Sequence, residues 1–112
     1  MSTSIDDSHR HRADTLRTAM AGNTGITEPA LRTAVAARAA GGPPIAEPYD
    51  DLAGQIGDAS YRVTDAEVDA VRQATGSDKA AFEIVMSACV GAGLARWDAA
   101  DQVIADTTDA PA

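Results

Sequence analysis

Three side chains of this sequence could take part in chemistry on a small molecule: Glu83, Arg96 and Tyr61. Glu83 and Ser87 are one helical turn apart and are the polar residues of the otherwise apolar run 80–95. A carboxylate in a polar pocket within such a run can have a raised pKa and act as a base, while Arg96 or Tyr61 orients an anionic or carbonyl substrate. The alternative, which we favour, is that Glu83 and Ser87 mark the solvent edge of the helix or a subunit contact, and that Arg96 forms a salt bridge beside the core.

The cysteine and histidine content argues against thiol and metal chemistry. Cys89 is the single cysteine, which excludes an internal disulfide and a CxxC pair. No basic residue lies one helical turn from it, so we predict a buried structural thiol. His9 and His11 offer too few ligands for a closed zinc site. We therefore predict neither a metal nor a cofactor.

Charge and hydropathy limit the partners and the location. The formal net charge is −8 over 112 residues and no basic stripe is present, so we expect binding neither to nucleic acid nor to anionic membranes. The first residues are polar, without the apolar segment of a secretory signal. The nearly uncharged run 84–95 is shorter than the ~20 residues that cross a bilayer. The sequence therefore predicts a cytoplasmic protein.

The hydrophobic pattern predicts an all-α bundle of about five helices, because no stretch alternates with a period of two. We expect residues 1–12 to form a disordered N-terminal arm, residues 13–105 a single helical domain, and residues 106–112 an acidic tail. The helices are expected at about 14–20, 28–40, 49–60, 65–75 and 78–105. The last helix is apolar nearly all round, so we expect it to be buried on most sides.

Local signals predict several helix ends. Thr64 and Glu67 have the spacing of a capping box, and Gly76 is placed to end the same helix. Ser77 or Asp78 would then cap the long helix. Thr27 is likewise expected to cap the second helix, with Arg32 and Arg38 facing solvent. On the long helix, two ridges of small residues allow close approach of another helix, from the same chain or a neighbouring subunit: Ser87, Gly91, Ala95, Ala88 and Ala92.

Residues 61–100 resemble the C-terminal half of the AhpD-like, or carboxymuconolactone decarboxylase, family. The resemblance is carried by Gly76, by the Ser77-Asp78 turn and by the Gly93-Leu94-Ala95-Arg96 ending of an alanine-rich helix. It implies an all-helical subunit that assembles, often into trimers or hexamers, through the long helices.

Redox members of that family have a CxxC followed by a His before the glycine. Counting back from Gly76 places Tyr61 and Thr64 at the two cysteine positions and Val68 at the His position. These residues cannot perform thiol–disulfide exchange or relay a proton as His does, and the site residues of the decarboxylases have no match. The resemblance therefore implies the fold and the assembly without either activity.

Three hypotheses of function follow. The first is an AhpD-like homo-oligomer, trimer or hexamer, without CxxC redox activity. The second is a small-molecule enzyme, lyase-like or an oxidoreductase, with a polar pocket around Glu83 and Arg96 in which Glu83 is the base. The third is an accessory binding protein that serves a partner enzyme through the surface around Trp97.

Overall fold

The computed structural model describes residues 3–109 of the chain, and the side chains of residues 8–107. All regular structure within that range is helical, which confirms the predicted all-α class. The elements are α1 (Thr3–Ala21), α2 (Pro29–Ala39), α3 (Tyr49–Ala59), a 3₁₀ turn (Ser60–Arg62), α4 (Asp65–Thr75) and α5 (Asp78–Asp109).

Helix α5 is the element against which the other helices pack. It is 32 residues long, about 48 Å at 1.5 Å per residue. The first half of α5 contributes Ile84, Ala88 and Ala92 to the core, where α2, α3 and α4 cover them. Alanine makes up much of this core, and the largest side chains that are fully buried are Leu52, Ile84, Val35 and Val71.

Glycines bring the backbones of three helices into direct contact. A Cβ atom added to Gly91 of α5 would lie 2.2 Å from the carbonyl oxygen of Ala36 in α2. A Cβ atom added to Gly57 of α3 would lie 2.2 Å from the carbonyl oxygen of Ala39. The small residues of α5 around Gly91 therefore allow the close approach of α2, a helix of the same chain.

Both ends of α4 and the start of α5 are formed as the sequence predicts. The backbone amide of Glu67 donates to the hydroxyl of Thr64 (3.2 Å), and the backbone amide of Thr64 donates to the carboxylate of Glu67 (2.9 Å). Gly76 ends α4 with a φ of 86°, in the left-handed region that favours glycine. The hydroxyl of Ser77 then accepts from the backbone amide of Ala80 (3.1 Å) and caps α5.

The first and the last helix are both longer than predicted. Residues 3–12 are the first turns of α1 rather than a disordered arm, and α5 continues to Asp109 rather than giving way to a tail at residue 106. The two helices support each other: Arg17 pairs with Asp98 (2.7 Å), and Arg10 lies 3.8 Å from Asp101. These contacts between distant residues explain why the local sequence did not predict a helix here. Residues 1–2 and 110–112 lie outside the described range.

The start of α2 also differs. Thr27 does not cap the helix; the N-cap position is Glu28, without a side-chain cap bond. Arg32, predicted to face solvent, is buried. Arg38 is half-buried, and its Nε atom donates to Asp50 at 2.7 Å. Both arginines are drawn inward because the chain provides oxygen acceptors for their guanidinium groups.

Helix α5 is not buried on most sides. Phe82 is 64% exposed and Met86 is 43% exposed, and Cys89, predicted to be buried, is also exposed. By length and composition alone, residues 78–107 could cross a membrane, although the nearly uncharged run 84–95 within them is too short to do so. Core helices of soluble proteins pass the same test. In this fold, 39% of the most apolar window of the helix is buried. One side of α5 forms the core, and the opposite side is only partly covered, by α1.

Candidate functional site

Glu83 is held as a charged acceptor and not as a base with a raised pKa. Its carboxylate accepts from the backbone amide of Ile26 (2.7 Å), the backbone amide of Thr27 (3.0 Å) and the hydroxyl of Thr27 (2.8 Å). The amides of Ile26 and Thr27 lower the pKa of Glu83 below its ordinary value of 4.5, against the opposing effect of burial. A carboxylate stabilised in this way is a weaker base than a free one.

Arg32 completes this group of contacts from the side of α2. Its Nε atom donates to the carbonyl oxygen of Met20 (2.8 Å), and its Nη atoms donate to the carbonyl oxygens of Thr27 and Gly22. Its Nη1 atom lies 3.6 Å from the carboxylate of Glu83. We call Arg32, Glu83 and Thr27 the Arg32–Glu83 cluster.

The Arg32–Glu83 cluster encloses the loop between α1 and α2. A Cβ atom added to Gly25 would lie 2.7 Å from Arg32 and 2.8 Å from Glu83, so the backbone of the loop runs directly against the ion pair. Within the described side chains, no buried nitrogen or oxygen lacks a hydrogen-bond partner. The cluster therefore joins α1, α2 and α5, and its polar atoms are occupied by the protein itself.

The structure does not bring Glu83, Arg96 and Tyr61 together. Glu83 and Arg96 are more than three turns apart on α5, about 20 Å along the helix axis. Arg96 donates from Nη2 to the carbonyl oxygen of Gly57 (3.0 Å). Tyr61 lies in the 3₁₀ turn with 88% of its surface exposed. No small substrate could contact the first two at once, so the geometry does not support the polar pocket around Glu83 and Arg96.

A shallow cavity beside Arg96 is lined by two arginines that already have partners within the chain. It has a volume of about 360 Å³, and its charged lining residues are Arg38, Asp58 and Arg96. Arg38 pairs with Asp50, and Arg96 bonds the α3 backbone as described above. These arginines hold α2, α3 and α5 together.

Three carboxylates at the start of α3 have the spacing of metal ligands. Oxygen atoms of Glu47, Asp50 and Asp51 lie within 4.8 Å of one another. Asp50 already accepts from Arg38 (2.7 Å) and from the backbone amide of Ile45 (3.0 Å), and Glu47 accepts from the backbone amide of Asp51 (3.2 Å). The amide of Ile45 and the guanidinium of Arg38 lower the pKa of Asp50. These carboxylates therefore hold α3 and the loop before it against α2, through the hydrogen bonds of Asp50 to Arg38 and Ile45.

An apolar concavity lies between α1 and α5, and we call it the α1–α5 groove. It consists of two adjoining cavities that share Leu16 and Val90 as lining residues. The cavity next to Phe82 and Met86 has a volume of about 280 Å³, and the cavity next to Trp97 about 470 Å³. The ring of Trp97 contacts the ring of His9 edge-on, with the centroids 5.5 Å apart.

The end of the groove nearest the loop carries four large apolar side chains that face solvent. We call this set the apolar rim; its members are Phe82 (64% exposed), Met86 (43%), Leu16 (49%) and Ile26 (59%). The sequence did not identify the rim, because a helix that is apolar all round gives no sign of which side stays uncovered. The one available signal was that α1 has too few apolar residues to cover α5.

The chain matches no protein-family model, no curated protein and no solved structure. Proposals about its function therefore rest on its own contacts, together with the resemblance in residues 61–100. Among the described residues, the apolar rim and the cavity beside Trp97 are two apolar features that the rest of the chain leaves uncovered.

Proposed function

We propose that this chain is an AhpD-like helical subunit without CxxC redox activity, and that it forms a cytoplasmic homo-oligomer through the apolar rim. The observation that carries the proposal is the exposure of Phe82 and Met86, one turn apart on the central helix. Contiguous exposed apolar surface on a soluble protein marks an interaction site.

The thin core of the single chain favours association. Within residues 8–107 the largest fully buried side chains are Leu52, Ile84, Val35 and Val71, and most of the remaining core is alanine. Burying one Phe or Met side chain contributes roughly 1.5–3 kcal/mol. Covering the apolar rim would therefore add stability that is large beside the ~5–15 kcal/mol of an ordinary domain.

A second copy of this chain fits the rim better than a charged partner. The rim side chains of α5, Phe82 and Met86, are one helical turn apart on the same face, so two copies related by a twofold axis would present the same row to each other. Each chain carries a net charge of −8, yet the carboxylate beside the rim, Glu83, is paired with Arg32. Two rims can thus approach without placing unpaired carboxylates against each other.

The oligomeric state of the full chain tests the proposal, measured by size-exclusion chromatography with light scattering at micromolar concentration. We expect a defined oligomer for the native chain and a folded monomer for the double variant Phe82→Glu, Met86→Glu. The control is Tyr61→Glu, which places a carboxylate at an exposed aromatic residue outside the rim and should leave the oligomer intact. A monomeric native chain, or a double variant that assembles as the native chain does, would refute the proposal.

A further inference from the structure

The cavity beside Trp97 has apolar walls and an open mouth. Its volume of about 470 Å³ lies within the ~300–1,000 Å³ of typical small-molecule sites. The walls include Leu16 from α1 and Val90, Leu94 and Trp97 from α5. Gly93 also lines it, and a Cβ atom there would have nothing within 4 Å. The cavity can therefore accept an apolar group of several carbon atoms.

The lining of this cavity is basic in a chain that is strongly acidic. Arg12 and His9 line its α1 side, and among residues 8–107 no carboxylate lines it, although the sequence has 17 acidic and 9 basic residues. Arg10 and Arg17, the neighbouring arginines of α1, pair with Asp101 and Asp98 of α5. In the part of the chain with described side chains, 8–107, no carboxylate pairs with Arg12.

From this combination we infer that the cavity binds a small amphipathic carboxylate, with its apolar part against Leu94 and Trp97 and its carboxylate on the guanidinium of Arg12. Apolar walls favour a hydrocarbon or aromatic body. A guanidinium binds a carboxylate through two parallel hydrogen bonds. A neutral apolar molecule would leave Arg12 without its partner, and a short carboxylate without an apolar part would leave the walls in contact with water.

This site shares Leu16 with the apolar rim but none of the rim residues of α5, and the inference does not depend on the proposed oligomer. The rim residues Phe82 and Met86 line the neighbouring cavity and not this one. The double variant Phe82→Glu, Met86→Glu should therefore lose the oligomer and keep the binding site. Failure of one proposal can be recognised without failure of the other.

Titration of the full chain with decanoate below its micelle concentration tests the inference. Trp97 is the single tryptophan, so its fluorescence reports directly on the cavity. We expect a saturable change in emission with decanoate, and much weaker responses to decanol, which lacks the charge, and to acetate, which lacks the chain. Equal affinity for decanol and decanoate would overturn the role assigned to Arg12, and no saturable response to decanoate would overturn the site.

Variants at matched arginines complete the test. Arg12→Ala should weaken decanoate binding about tenfold or more, the effect of losing a hydrogen bond to a charged group, whereas Arg12→Lys should weaken it less. Arg62→Ala, at an exposed arginine of the 3₁₀ turn, is the control and should bind as the native chain does. Circular dichroism checks that α1 stays helical in each variant, and an unchanged affinity in a helical Arg12→Ala variant would refute the inference.

The thiol of Cys89 gives a second readout, because it is exposed and lines the same cavity. Saturating decanoate should slow its reaction with a maleimide in the native chain. In the Arg12→Ala variant, the same concentration of decanoate should slow the reaction of Cys89 with the maleimide far less. If protection instead follows the oligomeric state and not the decanoate concentration, a second copy occupies the groove and the inference is wrong.

Discussion

The guanidinium of Arg32 in α2 lies 3.6 Å from the carboxylate of Glu83 in α5, and the loop between α1 and α2 is held around this pair. The side chain of Arg32 is 5% exposed and that of Glu83 is 23% exposed. A charge buried to this degree is costly to leave unpaired. Several consequences for stability can be measured.

Glu83→Gln should lower the free energy of unfolding by roughly 1.5–3 kcal/mol, the value of hydrogen bonds to a charged group. The amide of glutamine cannot neutralise Arg32, and because its nitrogen cannot accept, the backbone amide of either Ile26 or Thr27 loses its acceptor. Urea unfolding followed by circular dichroism measures the change. Glu28→Gln is the control, because the side chain of Glu28 makes no cap bond at the start of α2. Equal stability of the two variants would contradict the structural role given to Glu83.

The same contacts predict a dependence of stability on pH. The pKa of Glu83 is lower in the folded chain than its ordinary value of 4.5, so the folded state binds this proton less readily than the unfolded state does. The stability that Glu83 contributes is then complete above about pH 4.5 and is lost as the pH falls from there through the lowered pKa. Unfolding free energies measured below pH 4.5 should fall less steeply for Glu83→Gln than for the native chain, and parallel curves would contradict this.

Gly91 and Gly93 provide a matched pair of substitutions on one helix. Gly91→Ala places a Cβ atom against the backbone of α2 at Ala36, which cannot move aside as a flexible side chain would. We expect a loss of about 2 kcal/mol or more, as for overpacked cores. Gly93→Ala has open space and should stabilise the helix by up to ~1 kcal/mol. Thermal unfolding should show a lower melting temperature for Gly91→Ala and a higher one for Gly93→Ala. A change of the same sign in both variants would contradict the close contact between Gly91 and Ala36.

Thr64→Ala should cost about 0.5–2 kcal/mol, because it removes the hydroxyl that accepts from the backbone amide of Glu67. Thr33→Ala, at an exposed position within α2, should change stability by no more than ~0.5 kcal/mol. Denaturant unfolding of the two variants tests the difference. If both variants match the native chain, the capping box does not stabilise α4.

The features predicted correctly are those that neighbouring residues determine. The Thr64–Glu67 box and the glycine at position 76 act within one turn of the backbone, so their residue types were sufficient. The helical class follows in the same way from the absence of alternating segments. Such signals do not depend on which parts of the chain meet in space.

The features predicted wrongly depend on contacts between distant residues. The sequence around Arg32 is that of a solvent-facing arginine. Its burial depends on the carbonyl oxygens of Met20 and Gly22, which become its hydrogen-bond acceptors only in the folded chain. Cys89 lies in a helix that is apolar all round, so its exposure depends on how much of α5 is covered by α1. The helicity of residues 3–12 likewise depends on partners in the last third of the chain.

The two glycine contacts described above also indicate where this scaffold can be altered. Gly91 and Gly57 lie against the α2 backbone at Ala36 and Ala39, so larger residues at these two positions would displace α2. Helix α1 contains no glycine in such a contact; it is attached by exposed ion pairs to α5, by buried Ala13 and by the carbonyl oxygen of Met20, which accepts from Arg32. An engineer who wished to install a new binding specificity would therefore keep the sequence of α2 fixed and randomise α1.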